Sequence, residues 1–476
     1  MAKKILHPAG ILALFVAALP CPVFAQEYLD PAAARLPDPD PSPLSVNIDD
    51  DPILAIADAV ADEAAFHEVI GEALKASPTI LEGQADGDAA SAAKRGARSA
   101  LFPRIDLGLS ANRAIAREFS NDPDNVLERA RGSGRFDATA TLEQLLFDFG
   151  ATQRRIDAAV ERVGAAEAEL DRKSETIALR AIGAWYDLFA YGHLTELAEH
   201  FIGQNEKLRT DVEFRITQGV AAPVERARID SALASAQLRL AQYQREYQNA
   251  RARFKELFAI DAPSRIVRAP APELERLSDD ALAARAAASA PVRVSEALAR
   301  ALRNDSKAAR LETGPTLTAG VDAGRFGLLE AGRRDYDVRA RATVRWRLLG
   351  PGDARADEAR ARAESADARA LGVKLEAERE ARIAWADVGA LDDMMAAYRA
   401  DYVASRVTRD AVTERFLVAR GTLFDALDAE DRLFSAAASY IRAISERDAA
   451  TYVALARSGD LLRVLNIDPA DQRMFK

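Results

Sequence analysis

Cysteine is almost missing from this chain of 476 residues: the one present is Cys21, close to the N-terminus. A lone thiol can form neither an intrachain disulfide nor a cysteine-based metal site. Aromatic residues are scarce at 7%, and the 49% apolar share is supplied largely by alanine. That balance excludes a thick globular core and favours long helices in close contact. Past the N-terminal segment, no apolar stretch reaches the roughly 20 residues that a membrane-spanning helix needs. Basic residues do not predominate either: the net charge is −10 and the sequence pI is near 5.3, so there is no general footprint for nucleic acid. Catalytic and nucleotide-binding patterns are also lacking. His193 and His200 belong to no H-E-x-x-H pattern and stand about 10 Å apart along a helix, too far to share one metal ion. Gly320, Gly324 and Gly327 lie in a strand and its loop, not in a strand-to-helix phosphate turn, and no GxxxxGK[ST] segment occurs. The residues therefore point to no enzyme, no cofactor and no ATP hydrolysis. Asp392-Asp393 reads as a solvated pair on a helix.

The N-terminus carries an address. Lys3 and Lys4 precede the apolar stretch Ile11 to Leu19, and Val23-Phe24-Ala25 offers a small-residue cleavage site. Residues 1–25 read as a secretory signal peptide. A lipobox needs Leu three positions before the cysteine and a small residue directly before it. Ala18 and Pro20 stand there instead, so cleavage after Ala25 is expected rather than acylation of Cys21. The mature protein is exported, and any crossing of a membrane must use strands.

No proline stands between Pro351 and Pro469, and that interval is rich in Ala, Glu, Arg and Asp. It reads as helix nearly throughout, turning at Gly421. Apolar residues recur in steps of three and four at Ala356, Ala359, Ala363, Ala366, Ala370, Val373 and Ala377, and again at Ala381, Ala384, Val388, Leu391, Met395, Tyr398 and Tyr402. This is the seam of a coiled coil. A second line, Ala354, Ala361, Ala368 and Leu375, runs along another face. A helix with two seams needs a neighbour on each side, which suits a closed ring of helices.

Taken in order, residues 26–61 form a Pro/Asp-rich arm with the acidic run Asp49-Asp50-Asp51. A first repeat covers 62–262: a helix, a strand pair at 104–114 and 135–147, and a helical hairpin at 151–258 with its tip near Gly219. A linker follows at 263–278. The second repeat, 279–460, has the same order, with strands at 315–324 and 336–347 and a hairpin at 352–458 with its tip near Gly421; 461–476 is a tail. Pro103 pairs with Pro315, Gly150 with Gly350 and Gly219 with Gly421, so the chain is an internal duplication.

Each strand alternates polar and apolar residues over about ten positions, the length and period of strands that cross an outer membrane. In the last one Tyr336, Val338, Ala340, Ala342, Val344 and Trp346 face one way, while Asp337, Arg339, Arg341, Thr343 and Arg345 face the other. Facing lipid, the apolar side would put Arg339, Arg341 and Arg345 on a watery lumen; they read equally as a solvated face. Tyr336 and Trp346 suit membrane interfaces. Four strands cannot close a water-filled barrel, so several chains must contribute. The alternatives are a small periplasmic sheet capping a coiled coil, or a soluble periplasmic adaptor or scaffold. An adaptor would interrupt its hairpin with a compact β domain, and none is found.

From about residue 62 to 460 the chain resembles the TolC-like outer-membrane efflux and secretion channels, the outer membrane factors. The resemblance rests on the Leu101-Phe102-Pro103 entry to the first strand, the Leu146-Phe147-Asp148-Phe149-Gly150 strand-to-helix junction, and the duplicated order. It rests also on the tips Gly219-Val220-Ala221-Ala222-Pro223-Val224-Glu225 and Gly421-Thr422-Leu423-Phe424-Asp425-Ala426-Leu427-Asp428-Ala429. It implies a mostly α fold with a small β part, in which duplicated helical hairpins form an α-barrel. Four transmembrane strands per chain would join a trimeric β-barrel in outer-membrane lipid. It implies a homotrimer at the Gram-negative outer membrane extending into the periplasm. The trimer would work with a periplasmic adaptor (membrane fusion protein) and an inner-membrane ABC or RND-type pump. The implied cargo is protein by type I secretion or small molecules by efflux, and the unacylated N-terminus leans towards secretion.

Asp425 and Asp428 stand three apart on one helical face, with Glu430 and Asp431 just beyond. Around a threefold axis such carboxylates make a ring that favours cations. Two aspartates in a similar segment of the TolC-like channels form that ring, although the gap from Gly421 to Asp425 is two residues shorter here than in the best-known members. Acidic residues early in a helix are also favoured by its dipole. Glu225 matches an acidic latch residue of the first repeat, with Arg415 or Arg420 as its partner, or is an ordinary surface ion pair.

Overall fold

Two long antiparallel helical hairpins carry a four-stranded sheet in the computed structural model, which describes residues 33–40, 42, 48–116, 134–328, 335–348, 350–418 and 420–467. The expected signal peptide with Cys21 and residues 117–133, 329–334 and 468–476 lie outside the described residues. The helices are α1 (Pro52–Asp58), α2 (Glu63–Ala76), α3 (Pro78–Ser99), α4 (Ala151–Thr217), α5 (Val224–Phe258), α6 (Asp279–Ala287), α7 (Ala290–Leu311), α8 (Gly352–Leu417), α9 (Leu423–Ser458) and α10 (Leu461–Val464). The strands are β1 (Arg104–Arg113), β2 (Gly134–Phe147), β3 (Thr316–Phe326) and β4 (Asp335–Arg345).

The local chemistry explains the breaks. Pro78 opens α3 where a missing N–H costs nothing, so the first helical segment divides at Ser77. The segment that begins at Asp279, read above as one helix, divides in the same way at Ala288-Ser289, just before Pro291. At the first strand-to-helix junction Phe149 and Gly150 both take positive φ, +57° and +88°. The Asp148 carboxylate accepts from the N–H groups of Gly150 (3.0 Å) and Thr152 (2.7 Å), supplying partners for the orphan donors of α4.

The 66 residues of α8 span about 100 Å at about 1.5 Å per residue. Its alanine seam is buried at Ala356, Ala363, Ala366, Ala370, Ala381 and Ala384, followed by Val388 and Tyr402. Small side chains let α7 and α9 approach closely along it. The second line is bare: Ala354, Ala361, Ala368 and Leu375 are all exposed, and Leu371 beside them is 58% exposed. The first hairpin, α4 with α5, packs on α3 and α7, and α9 packs on α4, so the two hairpins are held side by side.

The aromatic core gathers where the hairpins meet the linker. Trp185 is buried edge-on against Phe66 at 5.2 Å, with Phe254 and Tyr452 close by. Its indole N–H donates to Val267 O at 3.0 Å, and the Tyr186 hydroxyl donates to Ala269 O at 3.2 Å. The Tyr452 hydroxyl donates to Pro270 O. These donors satisfy an irregular, buried backbone that has no sheet partner of its own beyond a bridge from Arg268 to Val60. Truncating Trp185 in such a core costs about 3–5 kcal/mol.

Two segments expected as extended or unstructured are packed. In the arm, Ala34 and Leu36 are buried, and Ile53, Leu54 and Ile56 of α1 enter the main core. After α9, the short α10 buries Leu461 and Leu462, and Leu465 follows them.

One ionisable group in this packing is costly. Glu175 of α4 is buried beside Asp171, whose carboxylate takes a 2.7 Å contact from Arg293 of α7. Burial pushes Glu175 up to about 7; Arg293, with Arg172 and Arg457, opposes the shift and Asp171 adds to it. A carboxyl raised in the folded state favours folding below its ordinary value and loses that contribution as pH rises through 7. Glu175→Gln should therefore raise the melting temperature at pH 8 by a few degrees and leave it unchanged near pH 4.5. Thermal melts of both proteins at the two pH values check this; an equal shift at both pH values would contradict it.

Candidate functional site

Two parts of the fold stand out for what they leave uncovered: the sheet and the hairpin tips. The sheet is a meander in the order β1-β2-β3-β4, antiparallel throughout. It joins the repeats directly, because β2 of the first half pairs with β3 of the second. Register places rows of like residues across all four strands. Ile105, Leu142, Val321 and Ala340 form one row, and Leu107, Ala140, Ala323 and Val338 the next. On this face Ile105, Leu107 and Leu109 are 63–81% exposed, and Tyr336, Val338 and Val344 are 62–79% exposed. Trp346, just past β4, is exposed as well.

The opposite face is a lattice of ions. Rows here read Arg104, Glu143, Gly320, Arg341 and Asp106, Thr141, Asp322, Arg339. Arg341 pairs with Asp322 at 3.3 Å, Arg339 with Asp337 at 2.5 Å, and Arg104 with Asp106 at 2.9 Å and Glu143 at 3.5 Å. The arginine row therefore carries much less bare charge than its sequence suggests. Arg345 is exposed, and its backbone carbonyl accepts from Thr316 Oγ1 at 3.4 Å. Gly320 is closely approached on both sides, since a Cβ there would sit 3.1 Å from the Leu142 backbone oxygen and 3.2 Å from Arg341 Nε. β1 and β4 are the two edges of the sheet, each with one hydrogen-bonded neighbour.

At the far end, the two tips share a backbone device. Val220 N donates to Arg215 O at 2.9 Å, and Arg420 N donates to Arg415 O at 2.8 Å. Measured from those carbonyls, the two tip glycines are not equivalent. Gly219, four residues on, has φ +69°, whereas Gly421, six residues on, is needed because a Cβ would lie 3.1 Å from Phe416 N. The duplication is thus offset by two residues at the tips. A small apolar cluster of Val212, Ile229, Phe416, Leu423 and Ala426 joins the two hairpins there. The Arg215 guanidinium lies 4.3 Å over the Phe416 ring and donates to Phe416 O.

Asp425 is exposed in the first turn of α9. Thr422 caps that helix: its hydroxyl donates to Asp425 Oδ2 at 2.8 Å and accepts from Asp425 N at 3.2 Å. Asp428, one turn on and also exposed, pairs with Arg432 at 2.9 Å, while Asp431 pairs with Arg239 of α5 at 2.7 Å and Glu430 turns inward to Arg409. Glu225 is half-buried in the first turn of α5 and pairs with neither Arg415 nor Arg420 among the described residues. Apolar side chains crowd the same end: Phe214, Val220, Val224, Leu417, Val418 and Phe424 are all more than half exposed.

Sequence reasoning missed a band of buried charge above the tips. Arg409 and Asp410 are fully buried and paired at 2.6 Å, and Arg409 also reaches Glu430. Burial pushes both Asp410 and Glu430 above the usual carboxylate range, against the pull of Arg409. Asp51, read as part of an acidic run in an extended arm, is buried under Tyr402 and Arg406. The signal was present in the seam, which continues past Tyr402 in steps of four and three onto Arg406 and Arg409. Charged residues at seam positions demand buried partners. Asp392 is likewise more than a solvated residue, since Arg447 pairs with it at 2.7 Å. His193 is buried edge-on against Phe189, and no cluster of metal-ligating residues occurs among the described residues.

A duplicated pair of long helical hairpins, bearing a four-stranded meander at one end, defines the class of the protein. The profile of the family described as outer membrane efflux protein matches residues 69–259. Solved structures share the fold over nearly the whole chain. The outer-membrane channel OprN aligns at 21% identity and TM-score 0.73, covering 97% of this chain and 98% of its own. The Campylobacter jejuni CmeC outer membrane channel aligns at 14% identity and TM-score 0.74, covering 89% and 92%. The open state of the Neisseria gonorrhoeae MtrE outer membrane channel aligns at 18% and 0.68, covering 83% and 89%. No curated protein sequence matches the chain. In the matched segment and in fold the chain is similar to the TolC-like outer membrane efflux proteins. Among the described residues, no helix is long and apolar enough to cross a membrane.

The two sheet faces predict opposite responses to one substitution. Leu107→Arg, on the apolar face, should cost about 2–4 kcal/mol if that face meets the bilayer midplane and should sharply lower recovery from outer-membrane fractions. Thr141→Arg, on the ionic face, should be recovered at the wild-type level. Quantitative blots of fractionated membranes check this; equal recovery of the two variants would contradict the assignment.

Proposed function

We propose that three copies of this chain close their sheets into one outer-membrane barrel, with their hairpins forming a periplasmic tunnel through which substrates are exported. One observation carries the reading. A continuous apolar face and two open edges belong to the same sheet, and neither is covered by the described residues of the chain. Lipid covers such a face, and further strands cover such edges. The exposed second seam of α8 supports the same assembly, because a neighbouring hairpin would bury it. A soluble adaptor would leave all three surfaces in water.

In this reading the duct is passive and energy comes from an inner-membrane pump, of ABC or RND type, reached through a periplasmic adaptor. The exposed apolar residues of the tips give that partner a surface. Asp425 and Asp428 would face the axis as a carboxylate ring, and Glu225 would latch neighbouring helices through Arg415 or Arg420. Cargo follows the pump: protein in type I secretion, or small molecules in efflux.

Single-channel conductance of the purified mature protein in planar bilayers tests the proposal. Wild type should give steady, cation-preferring conductance that micromolar trivalent cations block, and Asp425→Asn/Asp428→Asn should lose at least tenfold in sensitivity to that block. A protein that stays soluble without detergent and never inserts would overturn the duct. Identical block in the variant would remove Asp425 and Asp428 from the entrance.

A further inference from the structure

The described parts of the N-terminal arm are tied to both hairpins. On the first hairpin, Glu196 Oε2 of α4 accepts from Ala34 N at 3.1 Å. On the second, Arg409 of α8 donates to Pro37 O at 2.7 Å. Asp51 then caps α1, accepting from Ile53 N at 2.8 Å and Leu54 N at 3.1 Å. Its carboxylate also takes the Tyr402 hydroxyl at 2.9 Å and Arg406 Nη1 at 2.5 Å. Finally Arg268 of the linker donates to Ala57 O at 2.7 Å while holding Asp448 of α9 through two contacts of 2.6 and 2.9 Å. Leu36, Ile53 and Ile56 act as apolar pegs between these ties.

The arm's own ties to the second hairpin fall within Tyr402–Arg409 of α8, and the Arg268–Asp448 tie lies farther from the tips, near the level of Asp392. Along α8 the main core ends at Tyr402, and the tip cluster begins at Phe416. Between them the buried positions are Arg406, Arg409 and Asp410. Helices that part at this band expose Leu433 and Phe434 of α9 on their apolar side, but water can take over the partners that the charged groups lose. Helices that part at an apolar seam have no such substitute. A buried ion pair adds little net stability over an apolar one, yet losing a single partner is expensive, so the contact is made fully or released. These are the properties of a latch.

We infer that the arm is a clasp: it holds the second hairpin against the first at the charged band, and its release frees the tip half of α8 and α9 to move. This rests on reading the chain as a gated duct. The clasp sets how readily the tips part, while the tips themselves form the entrance. Asp51 is its central residue and acts by positioning α8.

Hydrogen exchange of the purified mature chain in detergent tests the clasp, alongside bilayer conductance, in wild type, Asp51→Asn and Tyr402→Phe. Asp51→Asn should speed amide exchange at least tenfold in Arg406–Leu417 and Leu423–Leu433, leave Gly352–Met395 unchanged, and raise the fraction of time the channel is open. Tyr402→Phe, which keeps the Asp51–Arg406 pair, should give a smaller effect in the same segments and decides the matter if Asp51→Asn does not fold. Faster exchange nowhere, or equally along the whole chain, would overturn the clasp. A wild type without conductance would overturn the duct instead, and the exchange pattern would still report on the clasp.

Discussion

An antiparallel sheet with two open edges and one bare apolar face is the constraint on which the rest of the structure depends. In water, open edges invite uncontrolled pairing and a bare apolar face invites collapse. In lipid, unpaired backbone groups cost several kcal/mol each. Both problems disappear when copies of the sheet close on themselves with the apolar face outward. The connectivity suits that solution. Because β2 pairs directly with β3, each chain delivers a single four-stranded panel with one edge from each repeat. The ion-paired inner face can then sit in water, its charges largely matched within the panel.

Below the sheet the same logic continues in helices. Alanine seams permit close packing but bury little area per residue, so stability must come from length and from a few dense centres. The Trp185 and Tyr452 core at the linker is one such centre, and the Phe416 cluster at the tips is another. Between them the chain places charge. Arg409, Asp410, Asp51 and Asp448 are each at most 2% exposed, and each has a partner from another part of the chain or close beside it. Such groups specify an arrangement more than they strengthen it. The molecule thus has a densely packed upper body and a small tip cluster, and between them the buried positions of α8 are charged.

Much of this was legible in the sequence because its signals are periodic. The three-and-four steps of the α8 seam gave both the helix and its buried side, and strict alternation in Tyr336–Trp346 gave the strand and its two faces. Order and duplication gave the class. What was not legible depends on long-range contacts between residues of opposite character. Asp51 in a proline-rich, acidic stretch looks solvated until the partners at Tyr402 and Arg406 are known. The arginine row of β4 looked bare because Asp322 lies on a different strand. The tip offset between Gly219 and Gly421 arises from backbone geometry: one glycine answers a positive φ and the other a close approach to Phe416.

The central claim, that the open panel closes with its own copies, is tested most directly by cross-linking its two edges. Cysteines at Ile105, Leu107 or Leu109 on β1 would be combined with cysteines at Val338, Ala340 or Ala342 on β4, and outer membranes would be oxidised and analysed without reductant. At least one combination should give a covalent ladder that ends at three chains. A ladder continuing beyond three, or no cross-link in any combination, would contradict the account.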